Sequence, residues 1–453
     1  MNDQQTAKYT RMTTAPVGGL ILRMAVPTII SMMVTAAYNM ADTFFVGQLN
    51  SNSATGAIGI AFSLMTVLQA LGFFFGQGSG TYISRQLGKQ KAEDAEIMAA
   101  SSVVYAAAAG AAVLIAGQVF LTPICRMLGA TETILPYARN YLRYILIGAP
   151  YMVASFVLNN QLRFQGSAFN GMIGITIGAL VNIALDPLMI FVFHMGVTGA
   201  ALATIISQLL SFCLLFYGTT RPGNVPVRVK NVRFSKEIFL QICRGGLPSL
   251  LRQGLMSLAT ICLNHAAGVY GDAAIAAMSV VSRSMGMAQS ALIGFGQGFQ
   301  PVCGFNYGAG RYDRVKAAFR FCIRTATAGL ILLAVFGFMF APRIVSVFRD
   351  DPEVIDFGAR AMRFQCITFP LGSLIMIGNM MTQTMGKTMQ ASILAAARQG
   401  LFFIPAVLIL PRLFGTLGIQ ISQSVSDLLS FLLALPLVIS VLKEMSVEGE
   451  SAA

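Results

Sequence analysis

The chain has 453 residues, 55% of them hydrophobic and only 11% charged, with a formal net charge of +13. Ordinary soluble domains carry roughly 25% charged residues, so this composition excludes a soluble globule. The positive charge is spread along the sequence rather than gathered in one patch, which argues against a nucleic-acid-binding protein.

Long apolar runs recur, each near the ~20 residues that cross a bilayer core. They predict twelve helical spans, at 18–46, 54–78, 98–122, 139–163, 168–193, 197–219, 239–267, 274–299, 318–342, 358–385, 389–411 and 416–442. The first follows a polar N-terminal segment and is too long for a cleaved leader, so it is expected to be retained. Between the sixth and seventh lies the one long polar stretch rich in breakers and basic residues, Thr220 to Lys230. The expected organisation is therefore an N-terminal six-helix bundle over 1–219, a linker over 220–237 and a C-terminal six-helix bundle over 238–453.

Basic residues concentrate at alternate span ends, among them Lys8, Arg11, Arg85, Lys89, Arg228, Lys230, Arg311 and Arg314, with fewer opposite, such as Arg126, Arg143 and Arg343. The positive-inside rule then puts both termini and the linker in the cytoplasm, for a multi-pass protein of the inner (cytoplasmic) membrane. Seven cysteines without paired spacing read as free thiols, and the histidines lack the spacing of a metal pair.

The two halves repeat one another. Pro27 is answered by Pro248, Gly76-Gln77-Gly78 by Gly296-Gln297-Gly298, Pro150 by Pro370, Gly166 by Gly386, and Leu209-Leu210-Ser211-Phe212 by Leu428-Leu429-Ser430-Phe431. Six spans per half give both halves the same membrane orientation, a parallel duplication used by carriers that rock two bundles about a central, V-shaped cleft. The paired prolines each remove a backbone donor and mark bending points, with Pro27 and Pro248 the hinge candidates in the first span of each half. The glycine pairs fit close helix packing and helix termination better than a nucleotide-binding loop.

Of eighteen acidic residues, three lie inside predicted spans: Asp42, Asp186 and Asp427. A carboxylate at the bilayer centre costs roughly 2.5–3.5 kcal/mol or more, so each calls for a role. Asn182 stands one helical turn before Asp186. With Asp42 and the hydroxyl of Thr204 they would make an oxygen-rich pocket able to take a proton or Na⁺. Asp427 shares the second half with three intramembrane arginines, Arg252, Arg283 and Arg398, and an Asp427–Arg398 ion pair is the structural reading. Further candidates to line a cleft are Tyr38, Asn159, Asn160 and Met256, the last among many methionines, whose thioethers adapt to ligands of varied shape.

These residues resemble the multidrug and toxic compound extrusion (MATE) transporters over nearly the whole chain. The likeness rests on Asp42-Thr43-Phe44-Phe45-Val46-Gly47, Asn182-Ile183-Ala184-Leu185-Asp186-Pro187, Gly199-Ala200-Ala201-Leu202-Ala203-Thr204, the string from Gly296 to Gly310, and Gly80-Thr81-Tyr82-Ile83-Ser84-Arg85, which looks most like the MepA-type bacterial members. The resemblance, with its DinF-like relatives, implies an all-α membrane protein that exports cationic, amphipathic small molecules in exchange for H⁺ or Na⁺. It implies a coupling ion at Asp42, Asn182, Asp186 and Thr204, with Tyr38 beside it and Pro27 as the bending point. It implies no enzyme activity and no cofactor, and the chain is expected as a monomer among lipids. The three arginines, which would repel a cation, keep open the alternative of an anionic or lipid-linked substrate.

Overall fold

A computed structural model describes residues 3–48 and 52–451, with side chains described for all of these but 39, 40, 42, 43, 47, 52, 54, 55 and 447–451. Hydrocarbon offers the backbone no hydrogen-bond partners, so apolar segments satisfy themselves as helices, and the described residues contain no strand. In chain order the first half holds α1 (Asp3–Thr14), α2 (Val17–Gly47), α3 (Asn52–Gly88), α4 (Ala92–Val119), α5 (Leu121–Met127), α6 (Leu135–Phe164), α7 (Ala168–Pro187) and α8 (Gly196–Thr220). The second holds α9 (Lys236–Gly268), α10 (Asp272–Gly308), α11 (Tyr312–Phe348), α12 (Pro352–Thr368), α13 (Gly372–Met385), α14 (Thr388–Ala396), α15 (Phe403–Phe414) and α16 (Thr416–Ser451).

Some spans are broken. A π-helical turn at Leu188–Val192 extends α7, a 3₁₀ turn at Phe369–Leu371 joins α12 to α13 at Pro370, and a π-helical turn at Ala397–Leu401 joins α14 to α15. Ten spans among the described residues are long and apolar enough to cross a membrane. The first two helices of the second half complete the twelve: α9 and α10 have 33 and 37 residues and are made more polar by Arg244, Arg252 and Arg283.

The glycines of the two Gly-Gln-Gly strings do not end helices, which corrects the termination half of the sequence reading. Helix α3 runs on from Gly78 to Gly88 and α10 from Gly298 to Gly308. Their use is close packing. A Cβ on Gly76 would lie 2.8 Å from Asn160 Nδ2 on α6, and one on Gly296 would strike Met380 on α13. A Cβ on Gly298 would lie 2.5 Å from Ala25 Cα on α2, and one on Gly78 would strike the Ile242 carbonyl on α9. So each Gly-Gln-Gly receives the fourth span of its own half on one glycine and the start of the other half's first span on the next. Gly166 and Gly386, which follow α6 and α13, repeat for another reason: both take the left-handed backbone, at φ +80° and +85°, that closes a helix and that a Cβ would strain.

This exchange defines two compact units. One comprises Met1–Met12 and Ile30–Gly246, the other Thr13–Ile29 and Leu247–Ala453. The division cuts α2 two residues after Pro27 and cuts α9 just before Pro248. Within the second unit Thr28 Oγ1 donates to the Gly294 carbonyl at 2.7 Å, fixing the first part of α2 to α10.

Candidate functional site

In the first unit the site is built on α7. Gly171, Gly174, Gly178, Asn182 and Asp186 recur every three or four residues and so share one face. The glycines bring neighbours close: a Cβ on Gly171 would sit 2.6 Å from Asn159 Oδ1 of α6, and one on Gly178 would sit 2.9 Å from Ser211 Cβ of α8. Ser211 Oγ donates to the Gly174 carbonyl at 2.9 Å, tying α8 to α7. One and two turns further along, the same face buries Asn182, at 2% exposure, and Asp186, at 0%. Asn182 Nδ2 donates to Asp186 Oδ1 at 3.4 Å. Asn182 Oδ1 is buried with no hydrogen bond among the described residues, leaving an acceptor beside the carboxylate.

Thr204, on α8, is also buried, and its hydroxyl donates to the Ala200 carbonyl at 3.0 Å, which leaves the oxygen able to accept. A small cavity of about 30 Å³ brings Tyr38 of α2 together with Asn182, Ser155, Ser207 and Gln208. It has room for about one water or one ion. Asp186 and Thr204 lie on the same two helices, outside its lining. Asp42 lies on α2, and its side chain falls outside the described residues.

The second unit holds a larger cavity of about 330 Å³ lined from α9, α10 and α12 to α16. Arg252, Met256 and Arg398 line it, with Met285, Met376, Asn379 and Asp427. Arg398 Nε donates to Asp427 Oδ1 at 2.7 Å, and Gln423 Nε2 donates to the same oxygen at 2.9 Å. The Asp427 side chain is 2% exposed, so this is a buried pair with a further donor. Arg252 Nη1 reaches Asn379 Oδ1 at 3.4 Å. Asp427 precedes Leu428 of the repeated Leu-Leu-Ser-Phe string, as Gln208 precedes Leu209, and each lines its own unit's cavity.

The remaining candidates lie elsewhere. Arg283, on α10, is exposed and outside the cavity lining. Asn160 is buried, donates to the Phe156 carbonyl at 2.7 Å, and accepts from Gln77 and Arg163. Asn159 faces Gly171. Sequence reasoning missed Asn379, the partner of Arg252, whose separation along the chain gives no signal. It also passed over Gln423, whose position one turn before Asp427 is a legible one. Neither π-helical turn was foreseen, although Pro187, which lacks an N–H to give the turn before it, directly precedes the first.

The comparisons with known proteins agree with the duplicated all-helical fold. A family model described as MatE matches residues 27–188 and 248–408, once in each half. The multidrug export protein MepA of Staphylococcus aureus is 27% identical over 439 residues, covering 97% of this chain and 96% of that one. Its namesake in Staphylococcus saprophyticus is 26% identical over 419 residues, 92% of each chain. Among solved structures, a MATE protein in the straight conformation superposes with a TM-score of 0.91 at 25% identity, covering 96% of this chain and 98% of that one. A MOP superfamily transporter from Pyrococcus furiosus, whose binding pocket is described as having reverse polarity that suggests a different function, superposes with a TM-score of 0.90 at 25% identity and the same coverage.

Proposed function

Because the chain belongs to the MatE family of multidrug efflux transporters, we propose that it is a secondary antiporter that exports amphipathic small molecules in exchange for H⁺ or Na⁺. The observation that carries this reading is the division of labour between two buried polar sites in one apolar chain. The first unit holds a carboxylate with neutral oxygens, Asp186 beside Asn182. The second holds a cavity of about 330 Å³, large enough for a small organic molecule, with thioethers to accommodate varied shapes.

The cycle follows from charge. An ionised carboxylate in an apolar bundle is costly, and a proton or Na⁺ removes that cost by neutralising it. Asp186 is the acceptor in this scheme, Asn182 and Thr204 are the neutral ligands, and Asp42, from the family likeness, is the second carboxylate. Neutralisation lets the α7 face repack against α2 and α8, and α2 bends near Pro27, where an absent N–H leaves the helix pliable. Pro248 is the equivalent bending point of α9. Substrate in the second unit is released in the state that the bound ion favours, because a ligand shifts an equilibrium only by its differential affinity for the two states. In the cytoplasmic membrane, with both termini inside, a potential of about 100 mV adds about 2.3 kcal/mol per charge moved.

The test is efflux of fluorescent amphiphiles from proteoliposomes under imposed H⁺ or Na⁺ gradients. Gradient-driven flux that is lost in Asp186→Asn is expected. Equal flux in both proteins would overturn the assignment of the coupling site to the first unit.

A further inference from the structure

The charge of the large cavity departs from what a carrier of simple lipophilic cations needs. Its charged lining residues are Arg252, Arg398 and Asp427. Arg398 and Asp427 cancel, since two guanidinium nitrogens approach both carboxylate oxygens, at 2.7 Å and 3.4 Å. The hydrogen bonds from Gln423 and Thr368 hold that carboxylate further in place. Arg252 is different. Its hydrogen bond is a long one to a neutral amide, Asn379 Oδ1 at 3.4 Å, and among the described residues no carboxylate lies within ion-pair distance of it. A guanidinium has five N–H donors and keeps its charge, so most of its capacity is unspent and the cavity holds one net positive charge.

An intramembrane arginine without a counter-charge is expensive and points to a ligand that supplies one. A planar carboxylate fits a guanidinium fork with two parallel hydrogen bonds, and a like-charged head is repelled there. The rest of the wall is apolar and deformable, with Met256, Met285, Met376 and Phe369 available to an apolar body.

Resting on the export reading above, we infer that the compounds this protein carries bear an anionic group, a carboxylate on an apolar body, which pairs with Arg252. Zwitterions with such a group qualify. Purely cationic compounds, the class implied by the family likeness, meet a site of their own sign. An anionic lipid headgroup shares the same chemistry, and the experiment separates it from a small compound.

The probes are a rhodamine carboxylic acid and its methyl ester, which differ in one negative charge on the same apolar frame. Binding is read by fluorescence anisotropy on the full-length protein in detergent, and efflux from proteoliposomes of zwitterionic lipid. The acid is expected to bind about tenfold more tightly than the ester, the range of one charge-assisted hydrogen-bonded contact. Arg252→Gln is expected to abolish that preference by weakening binding of the acid and relieving the repulsion of the ester, and Arg252→Lys to retain part of it. A wild type that prefers the ester, or an acid preference unchanged in Arg252→Gln, overturns the inference. Arg252-dependent binding of the acid without gradient-driven flux of either probe would keep the anion site and sink the export reading. Flux of both probes with no preference set by Arg252 would do the reverse. Acid binding that is competed away as phosphatidylglycerol is added would assign Arg252 to a lipid and overturn the small-compound assignment.

Discussion

Replacing Gly298 by alanine is expected to undock the first part of α2 from α10. Alanine favours a helix over glycine by about 0.5–1 kcal/mol, so with no neighbour the change would stabilise. At Gly298 the new Cβ would lie 2.5 Å from Ala25 Cα and N and 2.7 Å from Ala25 Cβ. Two of these atoms are backbone, so no rotamer change relieves the overlap and the helices must separate. Overpacking of this kind costs about 1–3 kcal/mol. Separation also stretches the Thr28 to Gly294 hydrogen bond of 2.7 Å, worth about 1 kcal/mol net. The sum is a net loss of about 1–3 kcal/mol once the helix propensity is credited. Gly329→Ala is the control, because a Cβ there meets nothing within 4 Å. The assay is the temperature at which each variant loses its monodisperse peak in detergent. A Gly298→Ala protein as stable as Gly329→Ala would refute the packing argument.

Other perturbations separate the sites. Asp427→Asn leaves the half-buried Arg398 without its counter-charge and is expected to cost about 2–3 kcal/mol, read by thermal unfolding; a wild-type melting point would show that the pair is not structural. Asp186→Asn keeps the side-chain volume and is expected to preserve folding while abolishing gradient-driven flux, with loss of folding as the contrary result. Outside the membrane, Lys8 on α1 donates to Ser167 Oγ and Asn224 Oδ1, both at 2.8 Å. Burial first, and Arg11 second, lower its pKa from 10.5 to about 8. The unfolded chain therefore holds more protons than the folded one between pH 8 and 10.5, so stability rises with pH across that window, and below it the cost of the charged amine is present in full. Lys8→Met is expected to flatten this rise in melting temperature, and a rise of equal slope in the variant would remove Lys8 as its source.

Much of this was legible because the hydrophobic solvent leaves few choices. Span number followed from apolar run length, and the duplication from Pro27 and Pro248, Gly76 and Gly296, Gly166 and Gly386. The Asn182–Asp186 contact followed from a spacing of one helical turn, and the Asp427–Arg398 contact from the cost of leaving either charge alone. What stayed hidden depended on tertiary contact. No local signal says that Gly78 receives Ile242 or that Gly298 receives Ala25, so the exchange of half-helices between the two halves of the sequence was not visible. The Gly-Gln-Gly strings read as both packing sites and helix ends, and only the packing holds, because in a bilayer a missing Cβ lets another backbone approach while the helix runs on. The single net charge of the large cavity required knowing that, among the described residues, no carboxylate pairs with Arg252.

An ion bound in the first unit and a compound bound in the second are expected to oppose one another. The direct measurement is the equilibrium affinity of a transported fluorescent amphiphile as a function of pH and, separately, of Na⁺, in wild type and Asp186→Asn. One of the two ions is expected to weaken binding in the wild type about fivefold or more, the usual scale of coupling between sites, and Asp186→Asn to bind with the same affinity at every ion concentration. An unchanged ion dependence in Asp186→Asn would contradict this coupling.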